Sequence, residues 1–111
     1  MKYLNYLLVL LKGESNVLDF MKEVFTYDEI VDIKDNLSNN VLFDLNSNSE
    51  EFILIVNYLK EIGINNVSDL VINYYYLFLN TFDEVKDIFS KFSKEEINGI
   101  NNDYYILDEL M

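Results

Sequence analysis

The sequence predicts an all-α domain, a compact bundle of about six to eight short helices. Apolar residues recur at three- and four-residue intervals along most of the chain, the spacing that lines one face of a helix. Four Ser/Thr-x-x-Glu boxes, Thr26/Glu29, Ser47/Glu50, Thr81/Glu84 and Ser93/Glu96, each stand before such a run. There the hydroxyl and the carboxylate can satisfy orphan backbone N–H groups at a helix start.

The densest apolar stretch, Glu50–Asn80, organises the rest. In its first half Phe52, Ile55, Val56, Leu59 and Ile62 share one face, with Asn57, Lys60 and Glu61 opposite. Ser47 marks the start of this helix, and Gly63, suited to the left-handed conformation after a last turn, marks its end. In the second half, Val67–Leu79 is apolar on more than one side through Leu70, Val71, Ile72, Tyr74, Tyr75, Leu77 and Phe78. That is expected of a central helix with several neighbours.

The other elements follow in order. Tyr3–Leu11 is an apolar run ended by Gly13, read as a core helix because it is far shorter than the roughly 20 residues that span a bilayer and no small-residue cleavage site follows it; a secretory segment is the alternative. A short helix over about Val17–Phe25 follows a Ser15/Asn16 cap. The Thr26 box opens Tyr27–Leu37, where Ile30, Ile33, Lys34 and Leu37 alternate with Asp28, Asp32 and Asp35, and the Ser38-Asn39-Asn40 cluster ends it. Val41–Leu45 is short enough to be helix or strand, and as a strand it could pair with Phe52–Val56 in a β-hairpin, giving an α+β alternative. Helix is preferred because the apolar period of 52–62 runs beyond strand length. Phe82–Phe92 presents Val85, Ile88, Phe89 and Phe92 on one face; Ser93 starts a helix to about Ile100; Tyr104–Leu110 closes the chain.

At 111 residues and 50% hydrophobic content, the chain is one domain that can bury a core without disulfides or metals. Its eight lysines face twenty Asp plus Glu, a net charge of −12 and a pI near 4.1. Such a field repels phosphate backbones and anionic headgroups, so direct nucleic-acid or membrane-surface binding is disfavoured. Asn, Ile, Tyr and Phe are abundant while Arg and Ala are missing, a usage typical of AT-rich genomes. That bias should also enrich lysine, which is scarce, so the acidity belongs to this protein. The alternative is a surface charged only for solubility.

Three segments, Asp28–Leu45, Ser68–Val85 and Glu95–Leu110, each read as acidic residues and an apolar step, an Asn-containing middle and a closing apolar pair. Stacked helical hairpins give this pattern. Over about two-thirds of the chain it resembles the helix-turn-helix repeat of mitochondrial transcription terminators, which implies stacked hairpins. The diagnostic proline and basic groove residues of that family are missing here. Its members hold nucleic acid with positive charge, so their function is not carried over.

The chemical inventory is thin. With no His, Cys, Arg or Trp, the candidate catalytic groups reduce to carboxylates, Lys, Ser, Thr and Tyr. The close carboxylates Glu50/Glu51, Asp83/Glu84/Asp87 and Glu95/Glu96 all fall at or near helix starts, where the helix dipole favours negative charge without any catalytic role. Asp44-Leu45-Asn46-Ser47-Asn48-Ser49 carries oxygen ligands at the first, third and fifth positions of an EF-hand-like loop. Ser49 replaces its glycine and Ile55 its bidentate Glu, so a polar inter-helix loop is the better reading. No cofactor is expected.

Tyr74, Tyr75 and Tyr76 are consecutive, about 100° apart around a helix, so all three cannot enter one core face. Tyr104 and Tyr105 repeat the arrangement. Tyrosine suits interfaces because a large apolar body carries a polar tip. The functional expectation is a cytoplasmic, non-enzymatic protein–protein interaction module that docks an acidic face on a basic partner. In its sharpest form the module is an inhibitor that occupies a nucleic-acid groove by mimicry, as small acidic anti-defence proteins of phages such as anti-CRISPR proteins do, a class-level analogy. The candidate contact residues are Asp28, Asp32, Asp35, Asp83, Glu84, Asp87, Glu95 and Glu96, with Tyr74, Tyr75 and Tyr76. The alternative is a homo-oligomer assembled through the tyrosine patch.

Overall fold

Local capping chemistry decides where these helices begin. The computed structural model describes residues 16–111. The expected helix Tyr3–Leu11, its Gly13 end and the Ser15 cap lie outside the described residues. In chain order come a 3-10 segment Asn16–Glu23, then α1 (Tyr27–Asn36), α2 (Asn39–Ser47), α3 (Ser49–Glu61) and α4 (Val67–Asn73). A second 3-10 segment Tyr75–Leu79, α5 (Phe82–Phe89), α6 (Lys94–Asn102), a third 3-10 segment Tyr104–Ile106 and α7 (Leu107–Leu110) follow. Among the described residues there is no strand. The all-α reading holds, and Val41–Leu45, the possible hairpin strand, lies inside α2 with Leu42 and Leu45 buried.

Three of the four capping boxes form in full. Thr26 Oγ1 accepts from Glu29 N at 3.3 Å while Glu29 Oε1 accepts from Thr26 N at 2.9 Å. Thr81 and Glu84 exchange the same pair at 3.2 and 3.1 Å, and Ser93 and Glu96 at 3.1 and 2.8 Å. The Ser47/Glu50 box does not form. Ser47 is still inside α2 and donates its hydroxyl to the Phe43 carbonyl at 3.1 Å. Only Asn48 separates α2 from α3, and its amide is committed elsewhere, donating to the carbonyls of Phe78 at 2.9 Å and Asn80 at 3.1 Å. Asp44, Asn46 and Ser47 lie inside α2, so the polar inter-helix loop expected at 44–49 is reduced to Asn48 alone.

The α3 terminus is a Schellman motif. Gly63 takes φ +105°, Ile64 N donates to Leu59 O at 3.0 Å and Gly63 N to Lys60 O at 3.1 Å. Beyond it, the single helix expected over Val67–Leu79 is broken at Tyr74, whose backbone sits at φ −135°, ψ 42°. The break has a local cause. Asn73 Nδ2 donates to the Asp69 carbonyl at 2.9 Å, offering that carbonyl a side-chain partner in competition with the helical ladder. Asn36 bonds Asp32 O at 2.8 Å and Asn80 bonds Tyr76 O at 3.2 Å in the same way, also at element ends.

Helix α3 is the packing hub, as the apolar density of 50–80 implies. It touches the first and second 3-10 segments, α2, α4 and α5. Phe52, Ile55, Val56 and Leu59 of its predicted face are fully buried. The Phe52 ring meets Phe20 at 4.9 Å, Phe25 at 6.1 Å and Phe78 at 5.5 Å between centroids. Elsewhere α1 packs on α4, and α6 packs on the third 3-10 segment, where Gly99 lets Ile106 approach closely. Loops are tied by asparagines: Asn66 Nδ2 donates to Ile100 O at 2.9 Å, and Asn101 Nδ2 donates to Gly63 O at 2.8 Å. Lys60 reaches back to the Val24 carbonyl with its ammonium 5.2 Å from the Phe25 ring centroid.

Candidate functional site

The core contains no buried polar or charged residue among the described ones, so the charge of this protein is a surface property. On α1 the buried side is carried by Ile33, with Ile30 and Leu37 packed against the core. Asp28, Asp32 and Asp35 lie half a helical turn away and are exposed. They form one stripe about 10 Å long at 1.5 Å rise per residue. On α5, Val85 and Phe89 are buried while Asp83, Glu84 and Asp87 are exposed. On α6, Ile97 and Ile100 are buried, Glu95 is exposed and Glu96 is half-buried. The exposed acids thus lie on three separate helices, and Glu96, expected to be exposed with them, is drawn partly inward at its cap on Ser93.

These carboxylates are not equally free. Glu84 caps Thr81, whose backbone N–H and hydroxyl hold its carboxyl below the usual glutamate range. Glu96 caps Ser93, and Asp87 pairs with Lys91 at 3.3 Å. Asp32 Oδ1 accepts from Asn36 at 3.2 Å. Among the described residues no group of three or more His, Cys, Asp or Glu is arranged to hold a metal ion.

The tyrosines behave in three ways. Tyr74 is buried, Tyr75 is half-buried and Tyr76 is 49% exposed. The break at Tyr74 lets its hydroxyl donate to Asp108 Oδ1 of α7 at 2.9 Å. It also brings Tyr74 to the C-terminal pair, with its ring 6.5 Å from Tyr104 and 6.0 Å from Tyr76. Tyr75 stands 6.2 Å from Tyr76 and Tyr104 is 4.5 Å from Tyr105, completing a run of five rings. Sequence reading flagged the two tyrosine groups separately. Their meeting depends on the fold, because about thirty residues separate them, and Asp108 carried no signal beyond its charge. Tyr27, 77% exposed at the start of α1, was also not singled out.

Burial first, and then the hydrogen bond to Asp108, push the Tyr74 hydroxyl well above its ordinary value of 10.0. In the folded chain it keeps its proton where the unfolded chain has begun to lose it. Its contribution is therefore complete below about pH 10 and is lost as pH rises further. Tyr74→Phe is expected to cost about 1 kcal/mol at pH 7, and the gap to the parent should narrow above about pH 10. Urea unfolding at the two pH values measures it; a gap that stays constant would contradict the Tyr74–Asp108 assignment.

Other surface features are modest. A groove of about 400 Å³ is lined by Ile88, Lys91, Phe92, Glu96, Leu110 and Met111. Among the described residues no helix is long and apolar enough to cross a membrane. Comparison of the chain with protein-family models, curated proteins and solved structures returned no match.

Proposed function

We propose that this chain is a non-enzymatic interaction module that presents carboxylates to a basic protein partner. The observation that carries the reading is the α1 stripe. Asp28, Asp32 and Asp35 stand opposite the packed residues Ile30, Ile33 and Leu37, and their carboxylates project to solvent. Steps of three and four residues along α1 separate them by about 4.5 to 6 Å, the same order as phosphates along a nucleic-acid strand. A groove built for a phosphate backbone would meet a comparable track of negative charge. Inhibition of a nucleic-acid-binding protein by mimicry is the specific form this proposal takes. Lysine is a weak counterweight: Lys22 and Lys91 already pair with Asp19 and Asp87.

A second reading is favoured by one observation, the exposure of Tyr76 and Tyr105 on adjoining segments. Under it the aromatic patch joins copies of the chain and the acids only solubilise the assembly. Light scattering at low and high salt separates the two. The interaction module is expected to be a monomer at every salt concentration; a dimer that persists at high salt would overturn that reading.

A further inference from the structure

We infer that the tyrosine cluster made by the second and third 3-10 segments is a binding site for an arginine side chain of the partner. The inference rests on the basic-partner reading and names the recognition element within it. Four observations carry it. The five rings form a continuous run, with successive centroids 6.2, 6.0, 6.5 and 4.5 Å apart. Two of them, Tyr76 and Tyr105, are 49% and 55% exposed and offer ring surface to solvent. The buried member, Tyr74, which immediately precedes the second 3-10 segment, is fixed by its hydrogen bond to Asp108 on α7. Carboxylates also border the patch: Asp108 on α7, and Asp103, which caps the third 3-10 segment by accepting the Tyr105 N–H at 3.1 Å.

Aromatic faces carry negative quadrupole density and attract cations, and nearby carboxylates add to the attraction. Of the two basic side chains, the flat and weakly hydrated guanidinium stacks on rings and can also donate to a carboxylate edge. A lysine ammonium binds as a hydrated point charge. The patch therefore discriminates where the acidic stripe does not: the stripe attracts any cation, while the rings favour arginine.

The test uses an amide-capped Gly-Arg repeat peptide and a Gly-Lys repeat of equal length and charge, titrated into the full chain at low salt. Ring resonances of Tyr76 and Tyr105 should shift with the arginine peptide, which should bind about five- to twentyfold more tightly than the lysine peptide. Tyr76→Leu with Tyr105→Leu should bring the two affinities together, and Tyr76→Phe with Tyr105→Phe should keep them apart. Reversal of Asp83 to Lys should weaken both peptides alike and leave their ratio intact. Equal affinities in the parent chain, or a ratio unchanged by the leucine pair, would overturn the arginine site while leaving the basic-partner reading standing. Failure of both peptides to bind at low salt would overturn both readings.

Discussion

Replacing Phe52 with alanine is expected to lower the free energy of unfolding by about 3–5 kcal/mol. Phe52 is fully buried on the hub helix, and its ring meets three others, those of Phe20, Phe25 and Phe78. Its removal takes away the transfer energy of the ring and leaves a cavity shared by the first 3-10 segment, α3 and the second 3-10 segment. Those elements cannot close on it without moving α3, whose other face is held by α5 and Tyr58 against Phe82 at 5.7 Å. Domains of this size hold only about 5–15 kcal/mol in total, so the variant should sit near the edge of folding. Leu54, on the same helix but 49% exposed, gives the control, with Leu54→Ala expected within about 0.5 kcal/mol of the parent. Denaturant titration of both variants measures the contrast; a Phe52→Ala cost under about 1 kcal/mol would contradict the packing described.

The second large effect is on association. Converting Asp28, Asp32 and Asp35 together to lysine should weaken partner binding on the order of a hundredfold at low salt, with the loss shrinking as salt rises. The structure selects these three over the acids of α5. Reversing Glu84 would strip the Thr81 cap, and reversing Asp87 would break its pair with Lys91. A loss of binding there would mix charge with helix stability. Asp28 lies in the first turn of α1, so its reversal has a dipole cost, but that is only about 0.3–1 kcal/mol and a thermal melt will show it. Affinity that does not change with the triple reversal would remove α1 from the interface.

Most of the fold was legible in the sequence because it is written in local chemistry. Thr26, Thr81 and Ser93 bind their own helix starts, Gly63 turns its own helix end, and Phe52, Ile55, Val56 and Leu59 follow a period that needs no knowledge of the partner helix. The misreadings come from asparagine. Asn48 leaves its helix uncapped because it serves carbonyls thirty and thirty-two residues away, which no local rule reveals. Asn73 competes for a helical carbonyl within an apolar run whose periodicity continues unbroken across Tyr74. The candidate surface was partly legible. The outward position of the acids follows from amphipathicity, whereas the meeting of Tyr74 and Tyr76 with Tyr104 and Tyr105 arises from tertiary packing.

The most direct test of the interaction module is affinity capture from a lysate of the source organism, and of any host it infects, with elution in a salt gradient and mass spectrometric identification. The parent chain should recover a basic nucleic-acid-binding protein that is released at moderate salt, and the Asp28/Asp32/Asp35 lysine variant should fail to recover it. Capture of the same proteins by both chains, or recovery of nothing except the chain itself, would contradict the account.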